Sequence, residues 1–170
     1  AELRLADYTA EIVASGFPGM RSLGTRALRF QLDSYLRNAV DRDVPEQGLA
    51  VRKPEAMLAW LRAYAAATST TASYTAVLDA ATAGVSDKPG RSTSIAYRDV
   101  LTQLWLLDPV PAWVPAMNPL TRLAQVPKHH LADPALAARL LGLSVDALIN
   151  GEGLPIGPQA GGMLGTLFES

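Results

Sequence analysis

Between Glu55 and Trp113 the chain spells, in order, a helix, a polar break, a short helix, a glycine-bearing turn, a longer helix and an apolar run punctuated by proline. Few folds accept that order. The first segment sets Met57, Trp60, Leu61, Tyr64 and Ala65 on one face at i, i+3, i+4, i+7 spacing, the signature of an amphipathic helix. After the polar stretch from Thr68, Ser73 is a capping residue for a second helix over 74–83 that Gly84 can end. Residues 85–91 form the turn. A third helix, from 92 or 93 to 107, has Tyr97, Val100, Leu101 and Leu104 on its apolar face and Arg98, Asp99, Thr102 and Gln103 opposite. The order predicts a winged helix-turn-helix with a small β-wing over residues 55–126.

In a helix-turn-helix the second helix enters the major groove, with its amino-terminal residues near base edges. That end here carries Lys88, Arg91, Ser92, Thr93 and Ser94, and the exposed face adds Arg98, Thr102 and Gln103; all of these but Ser94 are the nucleic-acid-binding candidates. The same residue types also cap ordinary helices, and many winged helices serve only as packing modules. From 55 to 113 the cations Arg62, Lys88, Arg91 and Arg98 face the carboxylates Glu55, Asp79, Asp87, Asp99 and Asp108. Neutralising phosphates supplies most of the affinity for duplex DNA, so the expected contact is weak alone and assisted by another domain or by homo-oligomerisation. The competing expectation is a protein-interaction or packing module that binds no nucleic acid.

With 170 residues, 49% apolar and 18% charged, the chain has ample material for a core. The sequence lacks a continuous apolar run of about 18 residues, so no membrane partner is expected. The absence of cysteine removes disulfides and thiolate metal sites and is compatible with a cytoplasmic setting. A net charge of −1 points to no strongly charged partner.

Residues 1–54 read as a helical segment: a helix over 5–14 with Tyr8, Ile12 and Val13 on one side, a rigid turn at Gly16, Pro18 and Gly19, then a long helix over 23–44 that ends before Pro45. Arg26, Arg29, Arg37 and Arg42 alternate there with Asp33, Asp41 and Asp43, a solvated face with i, i+4 pairing. Beyond Trp113 a proline-rich connection leads to a short strand around Lys128, limited by Pro119 and Pro127. Asp133 and Pro134 open a helix that Gly142 closes, residues 144–149 add a turn or two, and 150–162 is a Gly/Pro loop. The last residues are an apolar run, read as the edge of a longer protein.

Catalytic, metal and cofactor sites are not expected. His129 and His130, adjacent in a strand, point to opposite faces and cannot share one metal, so both read as structural. Glu169 is a lone carboxylate, and the sequence has neither a GxxxxGK[ST] phosphate loop nor a GxSxG elbow. Trp60, Trp105 and Trp113 fall at apolar spacings and read as core.

Several of these features recur in a familiar order: the turn Gly16–Gly19, Tyr35 followed by Arg42, Asp43 and Val44, Tyr97 in the third helix, the runs 104–107 and 111–113, the run 127–137, and the ending at Glu169. Over nearly the whole chain this resembles the C-terminal region of unassigned function, DUF4143, that follows the ATPase domain in a group of prokaryotic AAA-type ATP-binding proteins. The resemblance implies a P-loop ATPase domain outside this sequence as a partner, with ATP and magnesium bound there and not here. It also implies that residues 127–170 are the incomplete start of an α/β domain similar to PD-(D/E)XK nucleases, whose metal-binding positions would lie beyond Ser170. His129 and His130 stand where that family usually has Tyr-Phe. The expected fold class is thus mainly α (α+β), and the expected role a non-catalytic accessory region coupling the ATPase to DNA, or a packing module for it.

Overall fold

The computed structural model describes residues 2–84, 89–112, 126–151 and 162–170, and its regular structure is mainly helical. α1 (Leu5–Ala14) spans the predicted helix, but Thr9 and Ile12 are its buried residues while Tyr8 faces outward against Phe168. The expected rigid turn is in part a short helix, α2 (Pro18–Arg21), because Pro18 at its first position has the fixed φ a helix start needs. α3 (Thr25–Asn38) does not stop before Pro45. It widens into a π-helical turn at Ala39–Asp43 and continues as α4 (Val44–Glu46). Proline lacks an N–H and its ring crowds the carbonyl four residues back, and the wider turn accommodates both.

The predicted trio follows as α5 (Pro54–Ala66), α6 (Tyr74–Ala81) and α7 (Arg91–Gln103). Ser73 caps α6 as expected, its Oγ accepting from the Ala76 N–H at 3.1 Å. α7 ends four residues early, with the Leu106 N–H reaching back to the Leu101 carbonyl at 3.0 Å. That closure needs a left-handed residue, and Trp105 supplies it at φ 56° where glycine is usual. Its ring is consequently 81% exposed, which corrects the expectation that Trp105 is core. Trp113 lies outside the described residues.

After α7 the backbone of 106–110 pairs antiparallel with 128–132: Val110 and Lys128 exchange both hydrogen bonds at 2.9 Å, and Asp108 N–H donates to the His130 carbonyl at 2.9 Å. On the other side of that second segment, Ser69 N–H donates to the His129 carbonyl at 2.7 Å and His129 N–H to the Thr70 carbonyl at 3.0 Å. Among the described residues this pairing stays at isolated bridges and builds no sheet. The regular structure described beyond residue 133 is helical: α8 (Pro134–Leu140), α9 (Val145–Ile149) and α10 (Gly162–Glu169). Gly142, at φ 71°, stops α8 as predicted, with Leu143 N–H closing onto the Ala138 carbonyl at 2.9 Å. The expected loop over 150–162 lies almost wholly outside the described residues.

One apolar core joins these parts. Met57, Trp60, Leu61 and Tyr64 of α5 are fully buried at its centre, with Leu32 and Leu36 of α3, Leu101 of α7, Leu136 of α8 and Leu167 of α10 around them. α1 packs chiefly on α8, α9 and α10. A buried carboxylate joins the end of α1 to the start of α8: Asp133 accepts from Ser15 Oγ at 2.6 Å, Gly16 N–H at 2.7 Å and, as the cap of α8, Ala135 N–H at 2.7 Å.

Candidate nucleic-acid interface

α7 is fixed to the core before any of its exposed residues is considered. Tyr97, Val100 and Leu101 are buried, and the Trp60 indole N–H donates to Ser94 Oγ at 2.8 Å, so a buried polar group on each helix satisfies the other. The Trp60 ring stacks on Tyr64 at 5.4 Å and meets Tyr97 edge-on at 6.3 Å. Burial pushes the Tyr64 and Tyr97 hydroxyls above their ordinary range. The amino end of α7 therefore has a set direction.

The seven candidate residues divide on this scaffold. Arg91, Ser92 and Gln103 are exposed, and Thr93 is half-buried. Ser92 and Thr93 line a groove of about 540 Å³ whose opposite wall is the segment before α5, including Arg52 and Lys53. Pairing of that segment with the start of α7 is a tertiary event with no sequence signal beyond the two adjacent cations. Arg98 points elsewhere: its guanidinium bonds to Asp99 at 2.6 Å and lies 5.1 Å over the Tyr74 ring, while burial raises the Tyr74 hydroxyl and the Arg98 charge opposes that. Thr102 donates its hydroxyl to the Arg98 carbonyl at 2.9 Å. Lys88 lies outside the described residues.

Both histidines are buried in the paired segment. The His129 ring sits between Tyr64 and Tyr74, 4.9 Å from each, with Nε2 2.7 Å from the Ala72 carbonyl. That contact requires a proton on Nε2, and Nδ1 has no partner among the described residues. Burial lowers the His129 pKa, against the pull of the Ala72 carbonyl, and His130 adds to the lowering. The neutral ring is the native form. Its contribution to stability is complete above the unfolded value near pH ~6.5 and declines as pH falls towards the lower folded value. Thermal unfolding followed across that range should show a steeper acid loss for the native chain than for His129→Gln, whose amide keeps the bond to Ala72; equal slopes would mean that His129 is not the group responsible.

Among the described residues, no helix is long and apolar enough to cross a membrane. No curated protein and no solved structure matches the chain. A profile described as Domain of unknown function (DUF8612) matches residues 5–147. This overturns the resemblance to DUF4143 and its tie to an AAA-type ATPase. The ATP, magnesium and nuclease-like start expected on that ground have no other support. The physical reason lies in the motifs themselves: the Gly16–Gly19 turn starts α2, and Asp133 with Pro134 caps α8. Such turn and cap chemistry recurs wherever helices begin and end. The chain belongs to the DUF8612 family.

Proposed function

We propose that the chain is a non-catalytic nucleic-acid-binding module built on a winged helix-turn-helix, with the amino end of α7 and the Arg52–Lys53 segment lying against the phosphate backbone of duplex DNA. The winged-helix part is supported by chain order. α5, the turn at 68–70, α6, α7, residues 106–110 and residues 128–132 follow one another, and the last segment is hydrogen-bonded both to that turn and to residues 106–110. The observation that carries the function is the shared groove of Arg52 and Lys53 with Ser92 and Thr93. Two cations from outside 55–113 join the start of α7, so the four cations against five carboxylates of that stretch become six against five over 52–113. Hydroxyls and cations at a helix amino end suit phosphate oxygens, and the helix dipole adds to them.

So small a basic surplus implies sequence-independent affinity of about 10 µM or weaker at physiological salt. In a fluorescence-anisotropy titration of labelled duplex, Arg52→Ala with Arg91→Ala should weaken binding about tenfold and reduce the salt slope by about two. Arg98→Ala should leave DNA affinity unchanged, because that guanidinium is already engaged by Asp99 and Tyr74. An unaltered titration with the double variant, or no binding even at low salt, would sink the reading. The engagement of Arg98 favours the second reading, an interaction module that binds no nucleic acid, and low-salt silence is its expected result.

A further inference from the structure

We infer that the seam between α3, α5 and α8 is a docking groove for an acidic amphipathic helix of a partner protein, separate from the α7 surface. Leu58 and Arg62 of α5 line it. Leu58 stands about 160° around the helix from Ala56, which lines the α7 groove. The cavity measures about 700 Å³, with Leu36, Leu58, Leu140 and Leu141 contributing its apolar lining. It meets a smaller one of about 280 Å³ at Arg139 and Gly142, so the depression runs on along the α3–α8 seam.

Charge selects the occupant. Arg37, Arg62 and Arg139 line the larger cavity against a single carboxylate, Asp33, in a chain whose net charge is −1. Asp33 takes both hydrogen bonds of Arg139, at 2.6 and 2.7 Å, and this clamp ties α8 to α3. Glu55 pairs with Arg37 at 3.2 Å. Arg62 is exposed and makes no ion pair among the described residues. Beside these cations Phe30 is 71% exposed at the mouth of the groove. On α3, Arg26, Phe30, Asp33 and Arg37 form one stripe at i, i+4, i+7 and i+11, about 17 Å long, which matches three turns of a partner helix. An exposed ring and a leucine lining need an apolar face, and Arg62, the one lining guanidinium without a carboxylate among the described residues, needs an acidic partner. A duplex backbone supplies only the second, whereas an amphipathic helix rich in Glu and Leu supplies both.

The test uses two labelled helical peptides, one with Leu at i, i+3 and i+4 and Glu elsewhere, the other with Lys in place of every Glu. Anisotropy should report salt-sensitive binding of the Glu peptide alone. Arg62→Glu should lower its affinity about tenfold and admit the Lys peptide, and Phe30→Ala should weaken the Glu peptide several-fold, with circular dichroism confirming that both variants fold. Binding of neither peptide, equal binding of both, or indifference to Arg62→Glu would overturn the proposal. Loss of duplex binding in Arg62→Glu would reassign the groove to phosphate. A dimer in sedimentation that dissolves in the same variant would reassign it to a second copy of this chain. The α7 reading stands or falls separately, on Arg52 and Arg91.

Discussion

Trp60→Ala is expected to remove about 4 kcal/mol from the free energy of unfolding, the largest loss from any single substitution considered for this chain. The indole is fully buried, stacks on Tyr64 and meets Tyr97, and its N–H satisfies Ser94, which is itself buried. Alanine leaves a cavity between α5 and α7 and strands the Ser94 hydroxyl, so the transfer, cavity and polar terms all have the same sign. Urea unfolding should reveal a large drop in midpoint. Trp60→Phe refills most of the volume without the hydrogen bond and should lose roughly half as much. A loss below about 1 kcal/mol in the alanine variant would mean that α7 is not seated on α5 in this way.

Asp133→Ala is expected to cost about 3 kcal/mol for a different reason. The carboxylate is buried and accepts three hydrogen bonds, from Ser15 Oγ, Gly16 N–H and Ala135 N–H. Its removal leaves these donors unsatisfied at the end of α1 and uncaps α8. Ala135→Gly, a neighbouring change that keeps every acceptor, should cost about 1 kcal/mol and serves as the comparison. Hydrogen exchange should show α1 and α8 losing protection together in Asp133→Ala. Loss confined to one helix would break the claim that this carboxylate joins them.

Much of the helical framework was legible because it rests on local chemistry. The spacing of Met57, Trp60, Leu61 and Tyr64 gave the face that is buried, and Ser73, Asp133 and Ser144 act as caps. The resemblance failed because its motifs were common turn and cap chemistry, and the local misreadings each turned on one residue behaving against its type. Proline normally ends a helix, but the π-helical turn carries the chain through Pro45. Glycine normally ends one, but Trp105 takes the left-handed position and so ends exposed. A helical wheel puts Arg98 on the exposed face, and only the packing of α6 reveals Tyr74 beneath it. Both grooves were hidden in the sequence, because Arg52 and Lys53 share a groove with Ser92 and Thr93, and Arg139 reaches Asp33, across long stretches of chain. Periodicity records which face of a helix is apolar and says nothing of which other helix will cover it.

The seating of α1 on α8, α9 and α10 sets an order of events for a chain emerging from the ribosome. α1 is made before the helices that cover it, which come from residues 134–169, and Ser15 finds Asp133 across 118 residues. The contacts that α5 makes with α6 span far shorter loops, so that pair can close while synthesis continues. Ile12 and its neighbours must wait for the later helices, and until then the apolar face of α1 stays uncovered.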